Sequence, residues 1–390
     1  MSKIKELQLS SDIRGIAIAT EEFDATLTVK ESRLIASAFV KWLQKRYPSK
    51  NISELIVGIG RDSRISGPNL TKEFIKVLSA FGVHVIDFEM ATTPSMFMAT
   101  QFEEFNCDAT VMFTASHLPY YYNGLKFFTR EGGLESSDIR DIIALVDEKE
   151  ELPQGSVSTI EVKSIFERYS RHLVELIRKG SQSEKEKPLE GLHIIVDAGN
   201  GAGGFFAKSV LEELGAKTEG SQFLDPDGAF PNHIPNPDNK EAMESIKKQV
   251  LAVNADYGVI FDTDVDRAAV VTGSEELLNR NNLIAVLSVI VISEHPGTTI
   301  VTNSPTTEHL KKFIMKLGGH QYRYISGYRN VINKAIELNN QGIDCQLAIE
   351  TSGHAAFKEN YFLDDGAYVV AKILMLLPRL VAKGETLDSL

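Results

Sequence analysis

The apolar run "YGVIF" (257–261) ends in Asp262-Thr263-Asp264-Val265-Asp266-Arg267. Alternate side chains of an extended segment share a face, so Asp262, Asp264 and Asp266 crowd three negative charges together. At about 4 Å and an effective dielectric near 20, each like-charge pair costs on the order of 4 kcal/mol. A divalent cation removes that cost, and carboxylate oxygens without Cys or His suit a hard ion such as Mg²⁺. The bland alternative is a solvated acidic turn, which the preceding buried strand disfavours. An EF-hand is excluded by spacing: counted from Asp262, position six is Arg267 rather than Gly and position twelve is Gly273 rather than Glu.

Three further stretches carry chemistry. "TASHLP" (114–119) follows the apolar "ATVMF" and places the Ser116 hydroxyl beside His117 at the end of a strand. A Ser-His neighbour pair alone does not make a nucleophile. "AIETSGHAAF" (348–357) puts Glu350, Ser352 and His354 on one glycine-containing loop. That set of acceptor, hydroxyl and imidazole suits a polyhydroxylated ligand, and a plain structural turn is equally compatible. Arg14 in "SDIRG", Arg61 and Arg64 in "GRDSRISGP", Lys126 in "NGLKFF" and Arg329 in "SGYRNV" each lie beside a Gly or a turn residue. Singly these are surface charges, but together they suggest a phosphate-lined cleft. A rival reading takes "DTDV" as the nucleophile run of a haloacid-dehalogenase-type phosphatase, with "LDD" (363–365) as its later acidic pair. Asp262 would then carry the phosphate and Ser116 would be incidental.

Behind these loops a strand–loop–helix pattern recurs. "ELIVGIG" (54–60), "LHIIVDAGNGAGG" (192–204) and "TTIVTNSPTTEHL" (298–310) each lead into a helical period. Short runs without alternation suggest strands buried on both faces. The expectation is tandem similar mixed-sheet α/β domains, three in number. The boundaries fall at 1–158, 159–275 and 276–378, with 379–390 beginning a linker. A helix with Val162, Ile165, Phe166, Tyr169, Leu173, Leu176 and Ile177 on one face is expected to open the second domain.

Hydrophobic residues make up 43% of the 390 and charged residues 24%, enough to bury a large core. A net charge of −12 without a dense Lys/Arg cluster argues against nucleic acid. The longest apolar run, "AYVVAKILMLLPRL", is broken by Lys372 and too short to span a bilayer, and the N-terminus lacks a signal-peptide core. A cytoplasmic location, a monomer or weak dimer, and two reduced thiols at Cys107 and Cys345 are expected.

At this point the residues carry a resemblance. "TASHLP" is similar to the "TASHNP" phosphoserine loop of the α-D-phosphohexomutases, "FDTDVDR" resembles their "DGDADR" metal loop, and "ETSGH" their "ExSGH" sugar loop. "SDIRG", "GRDSRISGP", "NGLKFF" and "FPNHIPNP" look like family segments in the family's order. The resemblance implies domains arranged around a common cleft. It also implies reversible phosphate transfer between C1 and C6 of a hexose phosphate through a phosphoserine and a hexose 1,6-bisphosphate. Ser116 would carry the phosphoryl group, with Arg14 and Lys126 assisting proton transfer and His117 a further catalytic candidate beside it. Mg²⁺ would be held by Asp262, Asp264 and Asp266, with phosphorylated Ser116 as a further ligand. Arg267 would steer phosphate, and Glu350, Ser352, His354, Gly327, Tyr328 and Arg329 would read the sugar. Leu118, Thr263, Val265 and Tyr328 depart from the family's usual residues. The family's fourth domain, with its phosphate-binding loop, is not seen before Leu390, so slow mutase turnover is expected of this chain. The phosphatase and a non-catalytic sugar-phosphate binder stay as alternatives.

Overall fold

Three sheets grow from the three recurrences. The computed structural model describes residues 3–149, 153 and 158–389. It divides into one unit of residues up to 166 together with 227–229, and a second of 167–226 and 230 onward.

In the first unit the strand order is Gln8–Leu9, Asp12–Ile16, Tyr122–Thr129, Ala109–Phe113, Ile56–Arg61, His84–Met90, Ile160–Val162, with Gly132–Gly133 against Tyr122–Thr129. Helix Val29–Arg46 starts at a Thr28–Glu31 capping box, which satisfies two of its free N–H groups. It packs on helix Gly67–Ala80 over a core that includes Phe39, Phe74, Phe113 and Phe127. Residues 227–229 close against the turn after Ile56–Arg61, so tightly that a Cβ on Gly228 would lie 2.4 Å from the Ser63 carbonyl oxygen.

The second unit holds two sheets. One runs Leu277–Leu278, Ala268–Thr272, Tyr257–Phe261, Ile194–Asp197. The other runs His320–Tyr324, Thr299–Asn303, Cys345–Ile349, Ala355–Phe357, Leu363–Asp364. The long helix Gly366–Lys383 is capped at its start by Asp365, and Pro378 lies within it.

One local topology repeats in all three sheets. Ala109–Phe113 has a parallel neighbour, Ile56–Arg61, and an antiparallel hairpin partner, Tyr122–Thr129. Tyr257–Phe261 stands likewise between Ile194–Asp197 and Ala268–Thr272. Cys345–Ile349 stands between Thr299–Asn303 and Ala355–Phe357. These central strands are almost wholly buried, which explains their unbroken apolar runs. The chemistry-bearing loops 114–121, 262–267 and 350–354 are the three equivalent hairpin connections.

Three local expectations change. Val162 is not on a helix: Ile160–Val162 is an edge strand parallel to His84–Met90, and the helix runs Ile165–Ser181. Pairing with an existing sheet overrides the helical period there, carrying the first sheet past residue 158. Leu277–Leu278 likewise pairs back onto Ala268–Thr272 beyond residue 275, and helix Gly366–Lys383 runs on past residue 378. Of the expected boundary stretch 147–158, residues 150–152 and 154–157 lie outside the described ones. Cys107 and Cys345 are free and fully buried, and burial pushes their thiols up to about 12 and about 11. Among the described residues no helix is long and apolar enough to cross a membrane.

Candidate active site

Ser116 lies just past the carboxyl end of strand Ala109–Phe113. It is 3% exposed and has a left-handed φ of +52°. A non-glycine residue held there costs on the order of 1–3 kcal/mol, and such strain persists only where surroundings over-determine it. Here they do. The Ser116 N–H donates to Thr114 Oγ1 at 2.9 Å, and its carbonyl accepts from Arg64 Nη2. Ser116 Oγ lies 3.4 Å from His117 Nδ1.

Of the basic residues expected around this serine, Arg14 reaches the loop: Nη1 donates to the Ala115 carbonyl at 3.4 Å, and Nη2 pairs with Asp12 at 2.7 Å. Lys126 is buried and sits in register with Met112, on the strand returning from the loop. Arg64 does not fit the expectation of a phosphate ligand. It is fully buried, and its five N–H donors meet five acceptors: Asp62, and the carbonyls of Ser116, Leu118, Pro119 and Tyr122.

The carboxylate set lies in the second unit. Asp262, Asp264 and Asp266 are buried, and one oxygen from each falls within a group spanning no more than 4.8 Å. Burial, then the Asp266 charge, holds the Asp262 carboxyl well above the usual range, with Arg267 opposing. Three buried carboxylates at that separation fit a hard divalent cation, whose charge would offset both burial and repulsion. Ser116, expected as a further ligand, belongs to the first unit.

Arg267 supports this loop from beneath. Nε and Nη2 donate to Asp262 Oδ2 at 3.1 Å each, its backbone N–H donates to Asp262 Oδ1 at 3.2 Å, and Nη1 reaches Asn236 Oδ1 at 3.1 Å. It is 2% exposed, so it braces the loop and presents little surface for steering phosphate. Burial opposes the Arg267 charge, and the surrounding aspartates more than compensate. Val265 has φ +65°, an outlier for a β-branched residue. It is held by its N–H on the Asp262 carbonyl and by its own carbonyl, which accepts from Gly366. A Cβ on Gly366 would lie 2.6 Å from the Arg267 carbonyl carbon, so this close approach requires glycine.

The Glu350 loop joins the same unit. Arg267 and His354 form an isolated antiparallel bridge. His354 Nδ1 hydrogen-bonds Asp364 and lies 3.9 Å from Asp266. Burial alone would lower the His354 pKa, but Asp364 and Asp266 outweigh it and the net shift is upward. Glu350 Oε1 accepts from the Gly327 N–H at 2.6 Å, Ser352 Oγ lies 3.4 Å from Glu350 Oε2, and Tyr328 stacks on His354 at 5.3 Å. Arg329 lies in the first turn of helix Tyr328–Asn340. The structure thus gathers Asp262, Asp264, Asp266, Arg267, Glu350, Ser352, His354, Gly327 and Tyr328 within one unit, and Ser116, His117, Arg14 and Lys126 within the other.

Sequence reading misses the residues that hold the loops in place. Asp364 hydrogen-bonds His354, and its neighbour Asp365 is a helix cap that accepts from Tyr169 at 2.8 Å. Asn303 exchanges two hydrogen bonds with Thr351, both at 3.1 Å. The Ala202 N–H donates to the Thr263 carbonyl at 2.8 Å. Asn303 and Ala202 lie at or just past the end of the parallel neighbour strand, a signal readable only once the three hairpins are recognised as equivalent.

Comparison with known proteins finds three family domains along the chain. Residues 5–153, 167–275 and 279–390 match the models of phosphoglucomutase/phosphomannomutase alpha/beta/alpha domains I, II and III. A phosphomannomutase/phosphoglucomutase of Pseudomonas aeruginosa is 33% identical over 339 residues, covering 86% of this chain and 69% of that protein. A phosphoglucomutase of Neisseria gonorrhoeae is 30% identical over 381 residues, covering 97% and 76%. The crystal structure of a phosphoglucomutase/phosphomannomutase family protein from Burkholderia thailandensis aligns with a TM-score of 0.79 at 29% identity, covering 97% of this chain and 79% of that one.

Proposed function

The chain belongs to the phosphoglucomutase/phosphomannomutase family of isomerases, and on that footing we propose that it moves phosphate between C1 and C6 of a hexose by way of Ser116. A sugar hydroxyl oxygen attacks the phosphorus carried on Ser116. The new O–P bond forms, the bond to Ser116 Oγ breaks, and the hydroxyl proton passes by way of a base of the loop to the freed Ser116 Oγ. The hexose 1,6-bisphosphate so formed turns over. Ser116 Oγ then attacks the phosphorus of the other phosphate, the bond from that phosphorus to the sugar oxygen breaks, and the Ser116 proton passes to that oxygen, releasing the isomer. His117, with Nδ1 at 3.4 Å from Ser116 Oγ, stands where it can exchange that proton. Arg14 and Lys126 flank the same loop and suit the charge of the transferring group. Glu350, Ser352 and His354 offer acceptor and donors to sugar hydroxyls, with Gly327, Tyr328 and Arg329 beside them.

Mg²⁺ held by Asp262, Asp264 and Asp266 would supply the positive charge that neutralises the transferring phosphoryl group. The observation that carries the reading concerns Asp262. Both of its carboxylate oxygens accept from Arg267, so it is braced as a ligand and poorly placed as a nucleophile. That disfavours the phosphatase alternative and supports the reading of Ser116 as the carrier.

The test is intact-mass analysis of the full chain after incubation with glucose 1,6-bisphosphate and Mg²⁺. One added phosphate, stable to hydroxylamine and mapped to Ser116, is expected. A hydroxylamine-labile phosphate mapped to Asp262 would overturn the reading.

A further inference from the structure

Arg64 is among the most buried large side chains of the chain, and its partner Asp62 is equally inaccessible. An ion pair sealed from solvent contributes little net stability, so its retention invites a functional account. The geometry supplies one. Asp62 donates its backbone N–H to the carbonyl of Phe113, the last residue of the strand leading into the serine loop. Its carboxylate takes the Arg64 backbone N–H at 2.9 Å and Nε at 3.2 Å. The remaining four donors of the guanidinium fan out to carbonyls of the loop, at Ser116, Leu118, Pro119 and Tyr122. One end of the clamp therefore grips the strand and the other grips the serine loop.

We propose that Arg64 is a positioning residue for phosphoryl transfer, fixing with Asp62 the backbone of 116–122 so that Ser116 is presented in its left-handed conformation. This rests on Ser116 being the phosphoryl carrier. Ser116 has its N–H tied to Thr114 Oγ1 and its carbonyl tied to Arg64. With both peptide groups held, φ and ψ of Ser116 are fixed, and so is the direction of its Cβ and hydroxyl. A planar five-donor fork can collect four carbonyls, whereas a lysine offers three donors from a point. The other two hairpins are supported from the equivalent place by neutral groups, Asn303 on Thr351 and the Ala202 N–H on Thr263. Of these three supports reaching across from the neighbouring strand or the turn after it, the one at the serine loop is a full charge pair.

Arg64→Lys and Asp62→Asn in the full chain test this, with glucose 1,6-bisphosphate and Mg²⁺ as the probe. The maximal rate of phosphate incorporation at Ser116 should fall about 100-fold, while the half-saturating donor concentration stays within about threefold. Amide hydrogen exchange across 114–122 should quicken, and exchange in Tyr257–Phe261 and Cys345–Ile349 should not. An unchanged rate in Arg64→Lys overturns the proposal. So does a parallel loss of rate and donor affinity, which would make Arg64 a phosphate ligand, and so does exchange that quickens uniformly over both units. If the unaltered chain takes no phosphate on Ser116, the carrier reading fails by itself; the exchange comparison still decides the clamp, because unchanged protection at 114–122 refutes it. Should Arg64→Lys not fold, Asp62→Asn carries the same measurements.

Discussion

The serine loop and the carboxylate loop sit at the same point of the same local topology and are built on opposite principles. At the serine loop a buried charge pair does the holding: Arg64 meets Asp62, and its remaining donors meet backbone carbonyls. In the carboxylate loop Arg267 faces three buried aspartates. The first loop is held by that pair and contains one strained serine. The second carries surplus negative charge, which its own residues do not neutralise and a divalent cation would. One hairpin holds a backbone direction, and the other offers a place where a cation could bind.

The largest expected effect breaks the first loop chemically. Ser116→Ala removes the acceptor oxygen and leaves every contact of Arg64 in place, since these go to Asp62 and to backbone carbonyls. Phosphate incorporation from glucose 1,6-bisphosphate should vanish in intact-mass spectra. The thermal unfolding midpoint should move by no more than a few degrees, because a single hydroxyl contributes about 1 kcal/mol. Residual stable incorporation elsewhere on the chain would move the carrier role away from this loop.

Asp264→Asn tests the second loop and should show opposite signs in its two readouts. Mg²⁺ affinity, measured by calorimetry on the phosphorylated chain, should fall at least about 10-fold, because one anionic ligand is lost. Without metal the same variant should be more stable than the parent, on the order of 1–2 kcal/mol, because one repulsive charge is gone. Mg²⁺ at about 100 times its dissociation constant stabilises the parent by about 2.7 kcal/mol, and the variant should lose most of that gain. Unchanged Mg²⁺ affinity would remove Asp264 from the metal site.

How much of this is legible in the sequence obeys the same division. The three central strands read clearly because strands buried on both faces need unbroken apolar runs. The loops after them read clearly because their side chains have few other reasons to occur together. What does not read is support. Nothing about Arg64 in "GRDSRISGP" distinguishes a phosphate ligand from a clamp, since the acceptors are carbonyls that lie more than fifty positions away. Asp364 meets His354 only because Ala355–Phe357 and Leu363–Asp364 pair antiparallel. Ile160–Val162 joins the first sheet through hydrogen bonds to residues over seventy positions upstream. A local pattern cannot state a partner that far off.

The smallest expected effect lies behind the carboxylate loop, where support is spread over several residues. Arg267 leans on Asn236, which lies in the "FPNHIPNP" segment. His233 anchors that segment: Nε2 faces both oxygens of buried Asp197 at 3.0 Å, and Nδ1 faces the Ile234 carbonyl at 3.0 Å. Acceptors on both ring nitrogens favour the doubly protonated imidazolium. Burial lowers the His233 pKa, the Asp197 contact raises it more, and the net shift is upward from 6.5. The folded chain therefore binds this proton more tightly than the unfolded chain does. Its contribution to stability is fully present below pH 6.5 and is lost as pH rises through the higher folded value. His233→Asn should cost about 1–2 kcal/mol in denaturant unfolding near pH 6, and the gap from the parent should narrow on titration upward. Phosphate incorporation at Ser116 should hardly respond, because the serine loop has its own clamp. A gap that widens with pH would reverse the assigned charge. A loss of incorporation comparable to that of Arg64→Lys would mean that the two loops are not supported separately, and the contrast between them would fall.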